Sequence, residues 1–156
     1  MYEIPTMSDI ICIFGSYSIK PGETLYELAY DVGYSLAHAG YVVANGGYQG
    51  IMEASAKGAK DAGGMTIGVT CSVFEKTKEG AVHVNPYIDK QIHHHHILQR
   101  IKEMMTMSSG YVVLEGGTGT LSEFGLVWEY ISKRLISPRP IFVVGDFWRP
   151  IIERIL

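Results

Sequence analysis

A chain of 156 residues, 47% of them apolar and 19% charged, has the material for one buried core and too little for several. Its net charge of −3 argues against a nucleic-acid surface; Lys133, Arg134 and Arg139 come nearest to a basic group, and a solvated helix end accounts for them. No apolar run reaches the length of a membrane span, and Met1–Asp9 lacks the basic region and apolar stretch of a secretory signal, so a cytoplasmic protein is expected.

Ile10–Phe14 (IICIF) is a short apolar run ending at Gly15, which reads as a buried parallel strand. Pro21 and Gly22 open a helix over Glu23–Ala39, with Leu25, Leu28, Ala29, Val32 and Leu36 at helical spacing and Gly40 as its stop. Tyr41–Ala44 follows as a strand, then Asn45-Gly46-Gly47-Tyr48-Gln49-Gly50, a helix from about Ile51 to Ala62 and a strand over Met65–Thr70. Ala81–Val84, bounded by Asn85-Pro86, is a further candidate strand, and a helix fits from about Gln91 to Ser109. Gly110–Leu114 is the next strand. A second glycine loop, Glu115-Gly116-Gly117-Thr118-Gly119, leads into a helix from Thr120 to about Leu135. After the break at Ser137-Pro138-Arg139-Pro140 come a strand, Ile141–Val144, and a terminal helix, Phe147–Leu156.

Apolar strands alternating with helices predict an α/β fold: a single doubly wound, mostly parallel Rossmann-like sheet with helices on both faces. One domain is expected over 1–156, with an irregular N-terminus at 1–9. Cys12 and Cys71 lie in apolar strands and read as buried free thiols rather than a disulfide. Met104, Met105 and Met107 read as core or subunit-contact packing.

In such sheets a ligand sits beyond the carboxyl ends of the strands, where both glycine loops fall. Glycine admits a ligand close to the backbone, and a helix N-terminus offers unpaired N–H groups to an anion, so two such loops point to a phosphorylated ligand; alternatively, the glycines only make tight turns. Gly15-Ser16-Tyr17-Ser18 is not the dinucleotide fingerprint, and no P-loop sequence is present. Glu123, three residues after Thr120, has two readings: half of a capping box, or a carboxylate acting on the ligand's reacting centre. Arg100 could grip a phosphate or orient a carboxylate, or lie at the surface. The run His93-His94-His95-His96 reads as a solvated helix start in which only His93 and His96 could share a face, with no carboxylate or cysteine at ligand spacing; no metal site is expected.

Gly116-Gly117-Thr118-Gly119-Thr120-Leu121-Ser122-Glu123 resembles the GGxGTxxE part of the signature of the Lonely Guy phosphoribohydrolases, which activate cytokinins. Gly46-Gly47-Tyr48-Gln49-Gly50-Ile51-Met52 is similar to that family's GGxxGLM stretch; Gly15-Ser16 matches its start, and Arg100 falls where it carries its catalytic arginine. The resemblance, running from about Ile10 to Trp148, implies cleavage of the N-glycosidic bond of a purine nucleoside 5′-monophosphate such as AMP or an N6-substituted AMP. It assigns catalysis to Arg100 and Glu123. It assigns nucleotide binding to Gly15, Ser16, Gly46, Gly47, Gly50, Met52, Gly116, Gly117, Thr118, Gly119 and Thr120. A homodimer without metal or organic cofactor is implied. Two residues depart from the pattern: Glu115 stands in place of a proline, and Ile101 in place of a lysine. A related branch, resembling the molybdenum-cofactor carriers, shares the loops and binds without cleaving.

Overall fold

In the computed structural model, which describes residues 9–76 and 80–156, the apolar runs form the middle of a six-stranded sheet. In chain order the elements are β1 (Ile10–Phe14), α1 (Thr24–His38), β2 (Val42–Asn45), α2 (Ile51–Asp61), β3 (Thr66–Cys71) and α3 (Ser72–Glu75). They continue with β4 (Lys90–His94), α4 (Ile97–Met107), β5 (Gly110–Val113), α5 (Thr118–Ser132), β6 (Ile141–Val143) and α6 (Arg149–Ile155). The strand order is β4-β3-β2-β1-β5-β6, every pairing is parallel, and the central β1 sets Ile10 opposite Val42 and Ile11 opposite Gly110.

Because successive side chains of a strand point to opposite faces, β1 divides its residues between two cores. Cys12 and Phe14 join Tyr111 and Val113 beneath Ile101, Met104 and Met105 of α4 and Phe124 and Val127 of α5. Ile11 and Ile13 join Val43 and Val112 beneath Tyr26 and Ala29 of α1 and Ile51 and Ala54 of α2. Fully burying each large apolar side chain contributes roughly 1.5–3 kcal/mol, and burial on both faces is why the strands read as unbroken apolar runs. The α/β fold and its parallel, doubly covered sheet are as expected.

Cys12 and Cys71 are buried and free, and Met104 and Met105 are core residues with Met107 packed against them. Among the described residues no helix is long and apolar enough to cross a membrane. Of the irregular N-terminus expected at 1–9, all but Asp9 lies outside the described residues.

Three expectations are corrected. Ala81–Val84 is not a strand; the edge strand beside β3 is β4, which takes up the start of the expected helix 91–109. Lys90–His94 pairs along Ile67–Cys71 over five residues, and this pairing fixes the chain in extended form until α4 can start at Ile97. The polar residues between them carry no periodicity that would reveal such a partner. Of the basic group, Lys133 and Arg134 are exposed at the C-terminal end of α5, as expected of a solvated helix end, but Arg139 is not. Arg139 Nη1 donates to the carbonyls of Met105 at 2.9 Å and Ser108 at 2.7 Å, covering the C-terminus of α4, where a cation is favoured.

Candidate functional site

The connections leave β1 in one direction toward β2, β3 and β4 and return on its other side as β5 and β6. The crevice between β1 and β5 is therefore a topological switch point, the place where such sheets take a ligand. Three loops meet there and are joined by one residue. Ser16 donates its N–H to the Glu115 carbonyl at 2.8 Å, and its own carbonyl accepts the Ile51 N–H at 2.9 Å. Gly50, with φ of 67°, packs against that same stretch: a Cβ there would stand 2.3 Å from the Ser16 oxygen, so only glycine fits.

On the β5 side the chain turns directly into α5. Gly117 is its N-cap, no side chain caps it, and the first turn contains Thr118, Gly119 and Thr120. The amides of a first turn have no partner within the helix; the carbonyl of Gly117 is first used by Leu121. A Cβ on Gly117 or Gly119 would meet nothing within 4 Å, so packing alone does not account for glycine at either place. The result is an open shelf of bare amides suited to an anion. Thr120 is buried, its Oγ1 tucked against Gly116, and Glu115 is exposed beside the shelf.

The loop after β2 is closed upon itself instead. Buried Asn45 donates to the Met52 carbonyl at 2.9 Å and to Ser55 Oγ at 3.1 Å, while its Oδ1 accepts the Gly47 N–H at 2.8 Å. From the segment before β4, Asn85 donates its backbone N–H to the Gly47 carbonyl at 3.0 Å and its Nδ2 to the Tyr48 carbonyl at 2.7 Å. These two asparagines were missed in the sequence. Asn45 beside two glycines carries the signal of a side chain bonding its own turn, whereas Asn85 before a proline reads only as a strand boundary.

Arg100 is not at the surface. It is 7% exposed, rises from α4 beneath the same loop, and donates Nε to the Val69 carbonyl at 2.7 Å and Nη2 to the Gly46 carbonyl at 3.1 Å. Its guanidinium lies 5.0 Å from the Phe74 ring and 5.7 Å from that of Tyr48, a cation–π enclosure. A Cβ on Gly46 would overlap Nη2 and press on the Met52 sulfur, so glycine at 46 is what lets the arginine reach the loop.

Glu123 projects from the second turn of α5 and is half-buried. Burial pushes its carboxyl up to about 7, and the nearby Arg100 charge opposes the rise. The capping box fails because α5 begins at Thr118, two residues before the expected start; Glu123 then lies too deep in the helix to reach the N-cap. Arg100 and Glu123 thus share an electrostatic field, yet among the described residues no ion pair or hydrogen bond joins them. Cys12, under both, has its thiol driven far up by burial and by Glu123, and stays protonated.

The structure brings Gly15, Ser16, Gly46, Gly47, Gly50, Gly116 and Gly117, with Met52 and Thr118–Thr120, to one rim of the sheet. Two surface hollows lie elsewhere. One of about 310 Å³ is lined by Ser108, Ser137 and Arg139, whose guanidinium is already taken by carbonyls; the other, about 270 Å³, is an apolar groove between Phe124, Trp128 and Ile152. The histidine run is no helix start: His93 and His94 end β4, with Glu75 3.5 Å from His93 and Glu103 3.4 Å from His94. Among the described residues no cluster of three or more His, Cys, Asp or Glu is placed to hold a metal ion.

Residues 8–140 match the model of a family described as the SLOG cluster4 family. An uncharacterized protein of Archaeoglobus fulgidus is 34% identical over 122 residues, 78% of this chain and 76% of its own length. The cytokinin riboside 5′-monophosphate phosphoribohydrolase of Rhodococcoides fascians is 28% identical over 159 residues, covering 97% of this chain and 75% of the relative. The solved molybdenum cofactor binding protein of Rippkaea orientalis superposes with a TM-score of 0.74 at 25% identity, over 96% of this chain and 85% of its own.

Proposed function

Because the chain belongs to the SLOG cluster4 family, we propose that it hydrolyses the N-glycosidic bond of a purine nucleoside 5′-monophosphate, AMP or an N6-substituted AMP. Free base and ribose 5-phosphate are the products. The observation that supports this most is Glu123: a half-buried carboxyl near neutrality, on the helix whose first turn is a shelf of amides that no side chain caps. The similarity to the Rhodococcoides phosphoribohydrolase supports the same reaction.

The 5′-phosphate rests on the amides of Thr118, Gly119 and Thr120 and of the Gly116-Gly117 turn, and Gly15-Ser16 closes the crevice from β1. As the bond from C1′ to the base lengthens, its electron pair leaves with the base and positive charge builds on the ribose. The Glu123 carboxylate stabilises that charge and takes a proton from the water that attacks C1′; it then passes this proton to the departing base, so that the water's OH ends on C1′, its H on the base, and Glu123 is again a carboxylate. An acid with a pKa near the working pH suits both proton steps. Arg100 acts from behind, fixing the Gly46 loop against β3 and favouring ionised Glu123 through its charge. Met52 and the Gly46-Gly47 turn form the far wall. The working unit is a homodimer, without metal or organic cofactor, and the buried free thiols suit a reducing cytoplasm.

A second reading, a carrier that binds a nucleotide or the molybdenum cofactor without cleaving it, draws on Arg100. Its guanidinium is held by two carbonyls and two rings rather than directed at Glu123, and the Rippkaea protein shares the fold. Incubation with AMP and with an N6-substituted AMP, followed by chromatography for free base and ribose 5-phosphate, separates the two. Release of base by wild type and its loss in Glu123→Gln is the expected result. Saturable AMP binding with no base released defeats the hydrolase reading in favour of the carrier.

A further inference from the structure

The outer strand β4 sets out its histidines in a way their sequence conceals. Alternation along an extended chain puts His93 and His95 on one face and His94 on the other, where its buried Nε2 faces Glu103. On the shared face the Ser72 hydroxyl oxygen lies 2.9 Å from His93 Nε2 and 2.9 Å from His95 Nδ1, with the rings edge to face at 5.5 Å. Two exposed imidazoles therefore aim one nitrogen each at a single point.

The opposite nitrogen of His93 is also supported: its Nδ1 lies 2.8 Å from Thr70 Oγ1 and 3.5 Å from the Glu75 carboxylate. Both partners can accept a proton carried on Nδ1, and in that tautomer the lone pair of Nε2 faces the shared point. A carboxylate behind a histidine in this way fixes the ring and strengthens the nitrogen as a donor to a metal.

We propose that His93 Nε2 and His95 Nδ1 form a two-point site for a divalent transition-metal ion, which takes the place now occupied by the Ser72 hydroxyl. A metal–imidazole bond is about 2.0–2.1 Å, so each ring closes by slightly under about 1 Å from its present 2.9 Å contact. Imidazole ligands select borderline ions, with Cu²⁺ and then Ni²⁺ held more tightly than Co²⁺ or Fe²⁺, and Mg²⁺ and Ca²⁺ rejected in favour of oxygen sites. Water completes the coordination. The site lies at the carboxyl end of β4, apart from the α5 shelf, and stands whether or not the nucleotide reading holds.

Isothermal titration of the intact chain with Ni²⁺, after removal of bound metal by a chelator, tests it. Wild type takes up one equivalent, and His95→Ala and His93→Ala each weaken binding by at least roughly tenfold. His96→Ala, outside the converging pair, leaves it within about twofold. Because His93 also contacts Thr70 and Glu75, His95→Ala decides the matter where His93→Ala fails to fold. Absence of saturable uptake, unchanged binding in His95→Ala, or equal losses in His95→Ala and His96→Ala overturns the proposal, the last by showing a nonspecific histidine run.

Discussion

Replacing Glu123 with glutamine removes a charge that the folded chain holds unfavourably. Burial raises this carboxyl from 4.5 to about 7, against the opposing pull of Arg100. Well below pH 4.5, at about pH 3, the group is protonated whether the chain is folded or not, and it costs nothing. As the pH climbs from 4.5 toward 7 the unfolded chain ionises while the folded chain keeps its proton, so stability falls through that window and then levels off. At about 1.4 kcal/mol per pH unit the interval is worth at most about 3.5 kcal/mol. Glu123 is only half-buried, so solvent screening brings the expected effect to about 1–2 kcal/mol. Urea unfolding of both proteins at pH 5 and pH 8 reads it. Glu123→Gln should gain about 1–2 kcal/mol over wild type at pH 8 and only a small part of that at pH 5. A variant no more stable than wild type at pH 8 would show that the carboxylate sits comfortably in its site, and its use as a proton acceptor near neutrality would lose its basis.

Gly119→Ala should uncouple stability from binding. Its methyl meets nothing within 4 Å, and alanine in a helix is favoured over glycine by about 0.5–1 kcal/mol, so the melting temperature should rise by about 1–4 °C. The same methyl intrudes on the phosphate shelf, and AMP affinity should drop about tenfold, or about 1.4 kcal/mol; calorimetry showing unchanged affinity would place the phosphate elsewhere. Arg139→Ala leaves the Met105 and Ser108 carbonyls at the end of α4 without their charged donor, at about 1.5–3 kcal/mol and a melting temperature lower by about 3–12 °C, with AMP affinity unaltered. A thermal shift within error would mean that water replaces the guanidinium there.

The central strands and both glycine loops were readable because they depend on local chemistry. An apolar run such as Ile10–Phe14 buried on both faces admits few other structures, and Gly46-Gly47 and Gly116-Gly117 mark the strand ends themselves. Features that depend on a distant partner were not readable. Lys90–His94 is polar, and only pairing with β3 makes it a strand. The start of α5 was misplaced by two residues because Thr120-x-x-Glu123 mimics a cap, whereas the chain begins its helix from a glycine that has no side chain to cap with. Arg100 carried no local sign of burial: its partners are carbonyls of β3 and of the loop after β2, more than thirty residues away. The sequence suggested that Arg100 and Glu123 belong to one region; it could not tell that the guanidinium would be turned toward the loop.

The clasp at Ser16 has a consequence for how such a chain diversifies. Both of its main-chain polar groups are committed to neighbouring loops, so the mouth of the crevice is framed by peptide units. At this clasp between β1, β5 and α2 the frame is main chain, so the Ser16 side chain can be exchanged while the outline there persists. One chassis can in this way serve lineages that break a bond and lineages that merely hold their cargo, without the sheet having to be rebuilt between them.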